Sequence, residues 1–425
     1  MKLWHIIMVF GLLILVSTAI SFYGCGAVVE DANSTTTTTT ASTTTTTTAS
    51  TTTTISISGR ITFDGPGSPS MEGVTITASQ PASSQTTTTD ANGDFSFTTP
   101  AGTYEITPTK EAYVFYPASI TVSDTSTEVN FSASLEGWLV VNSPVATDWY
   151  DIHGETNEVD YSYYLLVGAN GKAYTSATYL ASGETAVWEQ ITNDGITSAD
   201  VLIRAEIDYD DDNSLGLFSE TYLWYLLGAA SATLPSGNIT FTLAGTYATD
   251  PAEDITSFTG GATNYGYKVA NGELYFNDDL STNPTNFGSS NLAPAGMTVR
   301  SVDVAIETKL VVLIGGDNGQ LYSYISDNVT APTPTSWTAL ESNTTEKITG
   351  LRIQYGEGEE YVGYVTEDGT FGYAWLDENF SLSSWAVGFT GLPYTLNGVD
   401  INEREVGVTK EFAVAGNDSL ILIKQ

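Results

Sequence analysis

The sequence predicts an all-β protein. Short runs rich in Val, Ile, Thr and aromatic residues alternate with turn residues along most of the chain, and no stretch is a persuasive helix of normal length. The composition agrees, with 24 Tyr, 8 Trp and 39 Gly in 425 residues. The clearest signal is a turn-and-strand unit that recurs with a period of about 48 residues near the C-terminus. These observations predict several β-modules in one chain.

The chain is strongly acidic, with 50 Asp and Glu residues against 13 Lys and Arg and a formal net charge of −37. Phosphate backbones and anionic lipid headgroups are repelled by such a surface. We therefore expect no nucleic-acid partner, and divalent cations are the natural counter-ions. Hydrophobic residues make up 41% of the chain, which is enough to build real cores.

Residues 1–24 have the layout of a signal peptide, with Lys2 followed by an apolar run over residues 3–16. That run is shorter than the roughly 20 residues of a membrane-spanning helix. The ending FYGC at residues 22–25 resembles a bacterial lipoprotein signal, whose cysteine is lipidated and becomes the new N-terminus. The resemblance implies a lipid on Cys25, the only cysteine. We expect export and anchoring in the cell envelope, at the outer membrane or cell surface; ordinary secretion with a spare thiol is the alternative.

Residues 25–54 continue from the cysteine into a tract that repeats TTTTTTAS. The repeated part, residues 35–54, contains sixteen Thr and no charged or aromatic group, so burial cannot compensate for the entropy lost on ordering. Twenty extended residues span at most about 70 Å. We interpret the tract as a disordered tether whose hydroxyl groups are potential glycosylation sites.

Residues 55–135 alternate short β-runs with turn residues, which predicts a small antiparallel sandwich. The segments SGRITF, EGVTITAS, TTTDANGDFSFTTPAGTYEITPTKEAYVFYP and TEVNFSA resemble the carboxypeptidase regulatory-like domain, a transthyretin-type sandwich. Lys110-Glu111-Ala112-Tyr113 departs from the Lys-x-Gly-Tyr of that family. The resemblance implies a spacer or interaction module without catalytic residues, and neither HExxH nor another zinc-ligand cluster is present here.

Residues 137–247 are also β-patterned and end in NITFTLAG, which echoes the end of the first module. We expect a second sandwich-like domain here. Aromatic residues cluster in it, and one hypothesis is a platform that stacks on sugar rings; buried core or cross-strand pairs are the alternative. The cluster consists of Tyr161, Tyr163, Tyr164, Trp188, Tyr222, Trp224 and Tyr225.

An acidic loop in this region suggests Ca²⁺ as a cofactor, since clustered hard oxygen ligands are what this ion requires. Asp208, Asp210 and Asp212 match the first three liganding positions of a Ca²⁺ loop. Asn213 stands where a glycine is expected, and Glu220 lies one residue beyond the position of the bidentate acid. A solvated acidic turn is the competing interpretation.

Residues 248–425 carry the repeats, each with an Asn-Gly-like turn between two strands and further β-runs on either side. Four strands in each repeat indicate propeller blades. The last repeat stops one strand short, and NITFTLAG is the nearest segment to supply it. We favour four blades, or a partial propeller, within 248–425. The alternative is six blades over 137–425, with two degenerate repeats, one near Asn170-Gly171 and one around Gly216.

Asp317 and Asp368, beside the repeat turns, are candidates for sugar contacts, although turn chemistry alone explains Asn, Asp and Gly there. Catalysis has few candidates, because His153 is the only histidine after the leader and no GxSxG motif is present. We therefore expect no catalytic residues and a non-catalytic binding or adhesion surface, for carbohydrate or for an envelope protein. A carboxylate-driven polysaccharide-active enzyme on the C-terminal repeats is one alternative, and a structural stalk is another.

Overall fold

Strands account for almost all regular structure in the described part of the chain. The computed structural model describes residues 53–126, 128–156, 162–176, 185–192, 195–208, 214–226, 237–238, 242–246, 250–260, 263–280, 282–283, 286–306, 309–328, 333–354, 360–376, 382–403 and 410–424. Thr52–Gln425 forms one compact unit. Within these ranges, no helix has the length and apolar character needed to cross a bilayer.

Eight strands at the start of this unit build a two-sheet sandwich. One sheet has the order β4-β1-β8-β6 and the other the order β3-β2-β5-β7. The period-two alternation explains the packing, because residues 55, 57, 61 and 63 of β1 all point into the core. The strands are β1 Thr54–Phe63, β2 Thr75–Gln80, β3 Ser83–Thr88, β4 Asp94–Pro100, β5 Tyr104–Thr109, β6 Tyr113–Tyr116, β7 Ile120–Val122 and β8 Phe131–Leu135.

The remaining strands form six further sheets, and one 3₁₀ turn, Asp317–Gly319, joins two of the strands. The strands are β9 Trp138–Val140, β10 Trp149–Thr156, β11 Ser162–Gly168, β12 Lys172–Ser176, β13 Glu189–Thr192, β14 Leu202–Asp208, β15 Ser214–Ser219, β16 Tyr222–Leu226, β17 Gly237–Asn238, β18 Thr242–Thr246, β19 Asp254–Gly260, β20 Thr263–Ala270, β21 Glu273–Asn277, β22 Val299–Ile306, β23 Leu310–Gly316, β24 Leu321–Ser326, β25 Thr338–Leu340, β26 Ile348–Gln354, β27 Glu360–Thr366, β28 Phe371–Leu376, β29 Ala386–Phe389, β30 Leu396–Glu403, β31 Lys410–Gly416 and β32 Ile421–Lys424.

These six sheets are the blades of a propeller. Blades 1 to 6 have the orders β10-β11-β12-β13-β17, β14-β15-β16-β18, β19-β20-β21, β22-β23-β24-β25, β26-β27-β28-β29 and β30-β31-β32-β9. The first strand of each blade contacts the first strand of the next, and β30 of blade 6 returns to β10 of blade 1. The ring is therefore closed, with the six first strands around its axis.

The all-β class and the blade repeats are confirmed, but the preferred count of four blades is wrong and six is right. Residues 137–247 are not a second sandwich, since their strands supply blades 1 and 2 and the closing strand. That closing strand is β9, not NITFTLAG, whose described residues are Asn238 in β17 of blade 1 and residues 242–245 in β18 of blade 2. Trp138 anchors β9 by packing edge-on against Phe371 and Phe389, at ring-centroid distances of 5.4 and 5.1 Å.

The two predicted Asn-Gly turns, between β20 and β21 and between β23 and β24, are confirmed by their backbone angles. Asn271 and Gly272 have φ values of 53° and 74°, and Asn318 and Gly319 have 57° and 66°. Both positions of each pair are left-handed, a conformation that Asn and Gly adopt at low cost.

The sandwich packs directly on the propeller, at the connection between β29 and β30. Tyr394 of that connection lies edge-on to Phe63 at 5.9 Å and donates a hydrogen bond to the Pro66 carbonyl at 2.6 Å. Tyr113 donates to the Thr390 carbonyl at 3.2 Å. Since β30 begins directly after this connection, the sandwich sits at the end of the propeller where the axial strands start.

Candidate binding site at the axis of the propeller

Two of the predicted Ca²⁺ ligands, Asp208 and Glu220, lie at opposite ends of the β14–β15 hairpin. Asp208 pairs with Ser214 at one end of the β14–β15 hairpin, whereas Glu220 follows Ser219 at the other end. Six strand residues span about 20 Å, so Glu220 cannot share an ion with Asp208. Asp210 and Asp212 lie outside the described residues. In the part of the chain that is described, no three His, Cys, Asp or Glu residues converge in a way that would hold a metal ion.

The other sequence candidates have mainly structural contacts. Tyr164 is fully buried and donates a hydrogen bond to Glu411 of blade 6. Asp317 accepts two hydrogen bonds from Arg300, at 3.0 and 3.3 Å, and Asp368 accepts one from Thr366. Cys25 and Tyr161 lie outside the described residues, as do the side chains of Tyr163, Trp224 and Tyr225.

A feature that the sequence analysis missed is a β-bulge at the start of the axial strand in five of the six blades. In each of these strands the ladder skips one residue near its N-terminal end. A bulge redirects the skipped side chain and is common next to binding sites. The skipped residues are Tyr150, Ile203, Arg300, Thr349 and Asn397.

All five skipped residues line one cavity of about 190 Å³ at the mouth of the axial channel. Blade 3 contributes Glu253 and Asp254, and Lys347 adds a cation at the rim. The site therefore receives side chains from every blade. We call it the axial mouth.

The wall of the mouth carries ion pairs. Arg300 is held by Glu253 at 3.0 Å and by Asp317 at 3.0 Å. Lys347 lies 3.3 Å from Glu367. Tyr150 is half-buried, and its pKa is raised by burial and by the negative charges of nearby Asp148 and Glu220.

Below the mouth, a layer of charged side chains ties neighbouring blades together. In five of the six joints, a carboxylate on the axial strand of one blade accepts a hydrogen bond from a backbone N–H of the next axial strand. These bonds run from Ala205 to Asp151 (3.0 Å), Ser257 to Glu206 (3.1 Å), Val302 to Asp254 (2.9 Å), Ile353 to Asp303 (2.6 Å) and Gly154 to Asp400 (2.9 Å). The axial strands are sheet edges, so these carboxylates satisfy N–H groups that no ladder reaches.

Two arginines brace this carboxylate layer. Arg204 of blade 2 crosses the axis, donating to Asp303 of blade 4 and to the Leu351 carbonyl of blade 5 at 3.4 Å. Arg352 of blade 5 lies 3.3 Å from Asp151 of blade 1 and donates to the Val399 carbonyl of blade 6 at 3.3 Å. Arg204 therefore lies across the channel and forms a floor under the mouth.

Burial shifts the titration of this layer. Two guanidinium groups face five carboxyl groups, and desolvation generally disfavours the charged form of a buried acid. Burial raises the pKa of Asp254 to about 6 and that of Asp400 to about 7, although the positive charges of Arg204 and Arg352, respectively, lower these pKa values. Burial, with the charges of Arg352 and Arg204, holds the pKa of His153 well below its usual value. The His153 imidazole is therefore expected to be neutral. Its Nδ1 lies 3.2 Å from the Ala205 carbonyl oxygen, within hydrogen-bond distance.

A sequence signal for this layer exists in three repeats. Val302-Asp303-Val304, Leu351-Arg352-Ile353 and Val399-Asp400-Ile401 each place one charged residue between apolar neighbours, with spacings close to the blade period. A charge at the same position of successive buried strands indicates a polar axis. The bulges have no comparable signal, because the skipped residues are of five different types.

Comparisons with known proteins bear on the sandwich. The family model of the carboxypeptidase regulatory-like domain matches residues 56–135, in agreement with the sequence resemblance. No match was found among curated proteins. Among solved structures, YCF48 from Cyanidioschyzon merolae aligns over 68% of this chain and 99% of its own, at 12% identity and a TM-score of 0.39. The six-blade assignment rests on strand pairing and not on that alignment.

Proposed function

We propose that this is an exported, lipid-anchored protein of the cell envelope that presents a non-catalytic binding site, the axial mouth. The observation that carries the proposal is the convergence of bulged residues from five blades on one cavity. Bulges at one register of five axial strands turn unrelated side chains toward the same space. The leader, Cys25 and the Thr tract support the location.

The state of the nearby carboxylates favours binding over catalysis. Asp254 lines the mouth, but one oxygen accepts from the Ile255 N–H at 2.8 Å. Its other oxygen accepts from Ser301 at 3.0 Å and Val302 at 2.9 Å. A carboxyl group whose two oxygens already accept hydrogen bonds from the protein links neighbouring blades. It is poorly placed to exchange protons with a ligand.

A carboxylate-driven enzyme is the second candidate, favoured by one observation. The raised pKa of Asp254, about 6, is of the kind that suits a general acid. Asp254→Asn keeps the shape of the side chain and removes its proton chemistry, so it separates the two functions.

The test is a glycan array read together with product analysis on the same sugars, using the mature full-length protein. We expect binding without turnover, and loss of binding in Tyr150→Ala. The control is Tyr116→Ala, because Tyr116 is an exposed tyrosine of the sandwich and does not line the mouth. Turnover that disappears in Asp254→Asn would replace the binding proposal with the enzyme.

Anchoring is tested by the mass of the mature N-terminus. We expect Cys25 to carry a diacylglycerol group in the wild type and the Cys25→Ala protein to leave the membrane fraction. An unmodified wild-type N-terminus would contradict the anchor and leave the axial binding site to be judged by the array.

A further inference from the structure

We infer that the axial mouth takes the uncharged terminal ring of a saccharide, bound end-on. This inference rests on the proposed binding function and adds the ligand class. It follows from the charge balance of the lining, from the arrangement of its donors and acceptors, and from the closed floor.

The lining is neutral in a chain of net charge −37. It contains three basic residues, Arg204, Arg300 and Lys347, and three acidic ones, Asp151, Glu253 and Asp254. Each basic side chain has a carboxylate within 4.0 Å. A charged ligand would have to compete with one of these pairs or bring its own charge into the site unpaired, and either change costs binding free energy.

Neutral hydroxyl groups find both kinds of partner around the same cavity. Asn397 donates both amide hydrogens, to the Trp149 carbonyl and to Asn417, each at 2.8 Å, which leaves its oxygen as an acceptor. Glu253 binds Arg300 through Oε2 and retains Oε1. Lys347 has further ammonium hydrogens beyond the one facing Glu367.

Tyr150 adds an aromatic ring and a phenolic hydroxyl group to the lining. A sugar ring presents hydroxyl groups that donate and accept, together with an apolar C–H face that packs on an aromatic side chain. The mixture of donors, acceptors and one tyrosine in the lining matches that chemistry.

The floor and the size of the mouth select a chain end. Arg204 crosses the axis and bonds to Asp303 and Leu351, so a polymer cannot thread through. The cavity measures about 190 Å³, which is smaller than the roughly 300–1,000 Å³ of most ligand pockets and suits a single small ring. An internal residue of a long saccharide chain is linked on both sides and therefore cannot enter a closed cavity end-on.

The experiment titrates the mature protein with matched sugars by saturation-transfer NMR and calorimetry. For each of the gluco, galacto and manno rings, the neutral sugar is compared with its uronate and its amine. We expect one neutral ring to bind at least tenfold more tightly than both charged forms. A linear oligomer of that sugar should bind, and its cyclised form should not.

Two matched variants locate the site. Tyr150→Phe removes only the hydroxyl group at the mouth, and we expect about tenfold weaker binding. Tyr116→Phe makes the same change at an exposed position of the sandwich, where Tyr116 is 80% exposed, and should bind as the wild type does.

Each other outcome overturns the inference in a distinct way. A preference for the uronate or the amine, with sensitivity to Tyr150→Phe, rejects the neutral ligand and leaves the binding function in place. Equal binding of the cyclic oligomer rejects the chain end. Absence of binding by every sugar of the panel rejects the saccharide, while the array still decides the function. Binding that Tyr150→Phe and Tyr150→Ala both leave unchanged rejects the axial mouth itself, and the proposed function with it.

Discussion

The sandwich and the propeller bury opposite chemistry at their centres. In the sandwich, Ile57, Ile61 and Phe63 fill an apolar core, and its ion pair, Arg60 with Asp94, lies on the surface. In the propeller, apolar residues pack between the blades, while the axis holds Arg204, Arg352 and five carboxyl groups. The centre of the sandwich is stabilised by burial of apolar side chains, and the axis of the propeller is stabilised by paired charges.

The difference follows from geometry. Two sheets packed face to face leave no strand edge at the centre, so apolar side chains alone can fill it. A ring of blades places six strand edges around one axis, and their N–H groups need acceptors there. Carboxylates reaching from blade to blade supply these acceptors, and the arginines then compensate their charge.

The comparison is tested most strongly by removing the buried cation. Arg204→Met keeps an apolar side chain of similar length but removes the cation that pairs with Asp303 and Asp254. We expect a loss of about 3–5 kcal/mol in the free energy of unfolding, measured by urea denaturation. The control is Arg60→Met, which removes an exposed pair of the sandwich, and we expect little change. Similar small losses in both variants would show that the axis is not held by charge.

The second prediction concerns pH. The pKa of Asp400 is raised to about 7 in the folded protein, whereas an unfolded Asp titrates near 4. The folded state therefore binds the extra proton between these values, and this contribution to stability is gained as pH falls through 7 and lost as pH rises. A shift of about 3 pKa units corresponds to roughly 4 kcal/mol.

Asp400→Asn isolates this contribution from the general repulsion of the acidic surface. We expect the unfolding free energy of the variant to change less between pH 8 and pH 5 than that of the wild type. Asp94 of the sandwich is the control, since its hydrogen bond to Arg60 lowers its pKa. Asp94→Asn should leave the dependence above pH 5 unaltered. An unchanged dependence in Asp400→Asn would mean that Asp400 does not take up a proton in this range.

The third prediction tests how closely the blades approach. A Cβ on Gly398 would lie 2.6 Å from the Asp151 Cα, so blade 6 and blade 1 would have to move apart. We expect Gly398→Ala to lower the unfolding free energy by about 1–3 kcal/mol, measured from urea midpoints. Gly288→Ala is the matched control, because its Cβ would make an ordinary contact at 3.6 Å. Equal effects at the two positions would contradict close packing at the axis.

The same contrast explains what the sequence could predict. The sandwich is encoded by local alternation and turn residues, so its strands and family resemblance were readable from the chain. The blades of residues 248–425 were readable from their Asn-Gly, Asp-Gly and Asn-Asp turns. Blades 1 and 2 have a weaker signal, and only the six-blade alternative included them, as degenerate repeats near Asn170-Gly171 and around Gly216. The β15–β16 turn at Ser219-Glu220-Thr221 has no Asn-Gly-like pair.

The closing strand and the axial mouth depend on contacts that are distant in sequence. β9 pairs with β32 across about 280 residues, and no local pattern distinguishes Trp138–Val140 from another short strand. The mouth unites Tyr150 with Asn397 through ring closure alone. Glu220 shows the converse, since closeness to Asp208 in sequence suggested a shared ion and the intervening strand separates them.

The smallest predicted effect lies where the two regions meet. The Tyr394 hydroxyl donates to the Pro66 carbonyl at 2.6 Å while its ring packs against Phe63. Tyr394→Phe keeps the ring contact and removes the hydrogen bond, so we expect a loss of about 0.5–1.5 kcal/mol in the unfolding free energy. Tyr116→Phe, exposed on the sandwich, should change nothing. If Tyr394→Phe were also silent while Arg204→Met was costly, the Tyr394 hydrogen bond would add nothing to the apolar contact with Phe63, in contrast to the polar bonds at the axis.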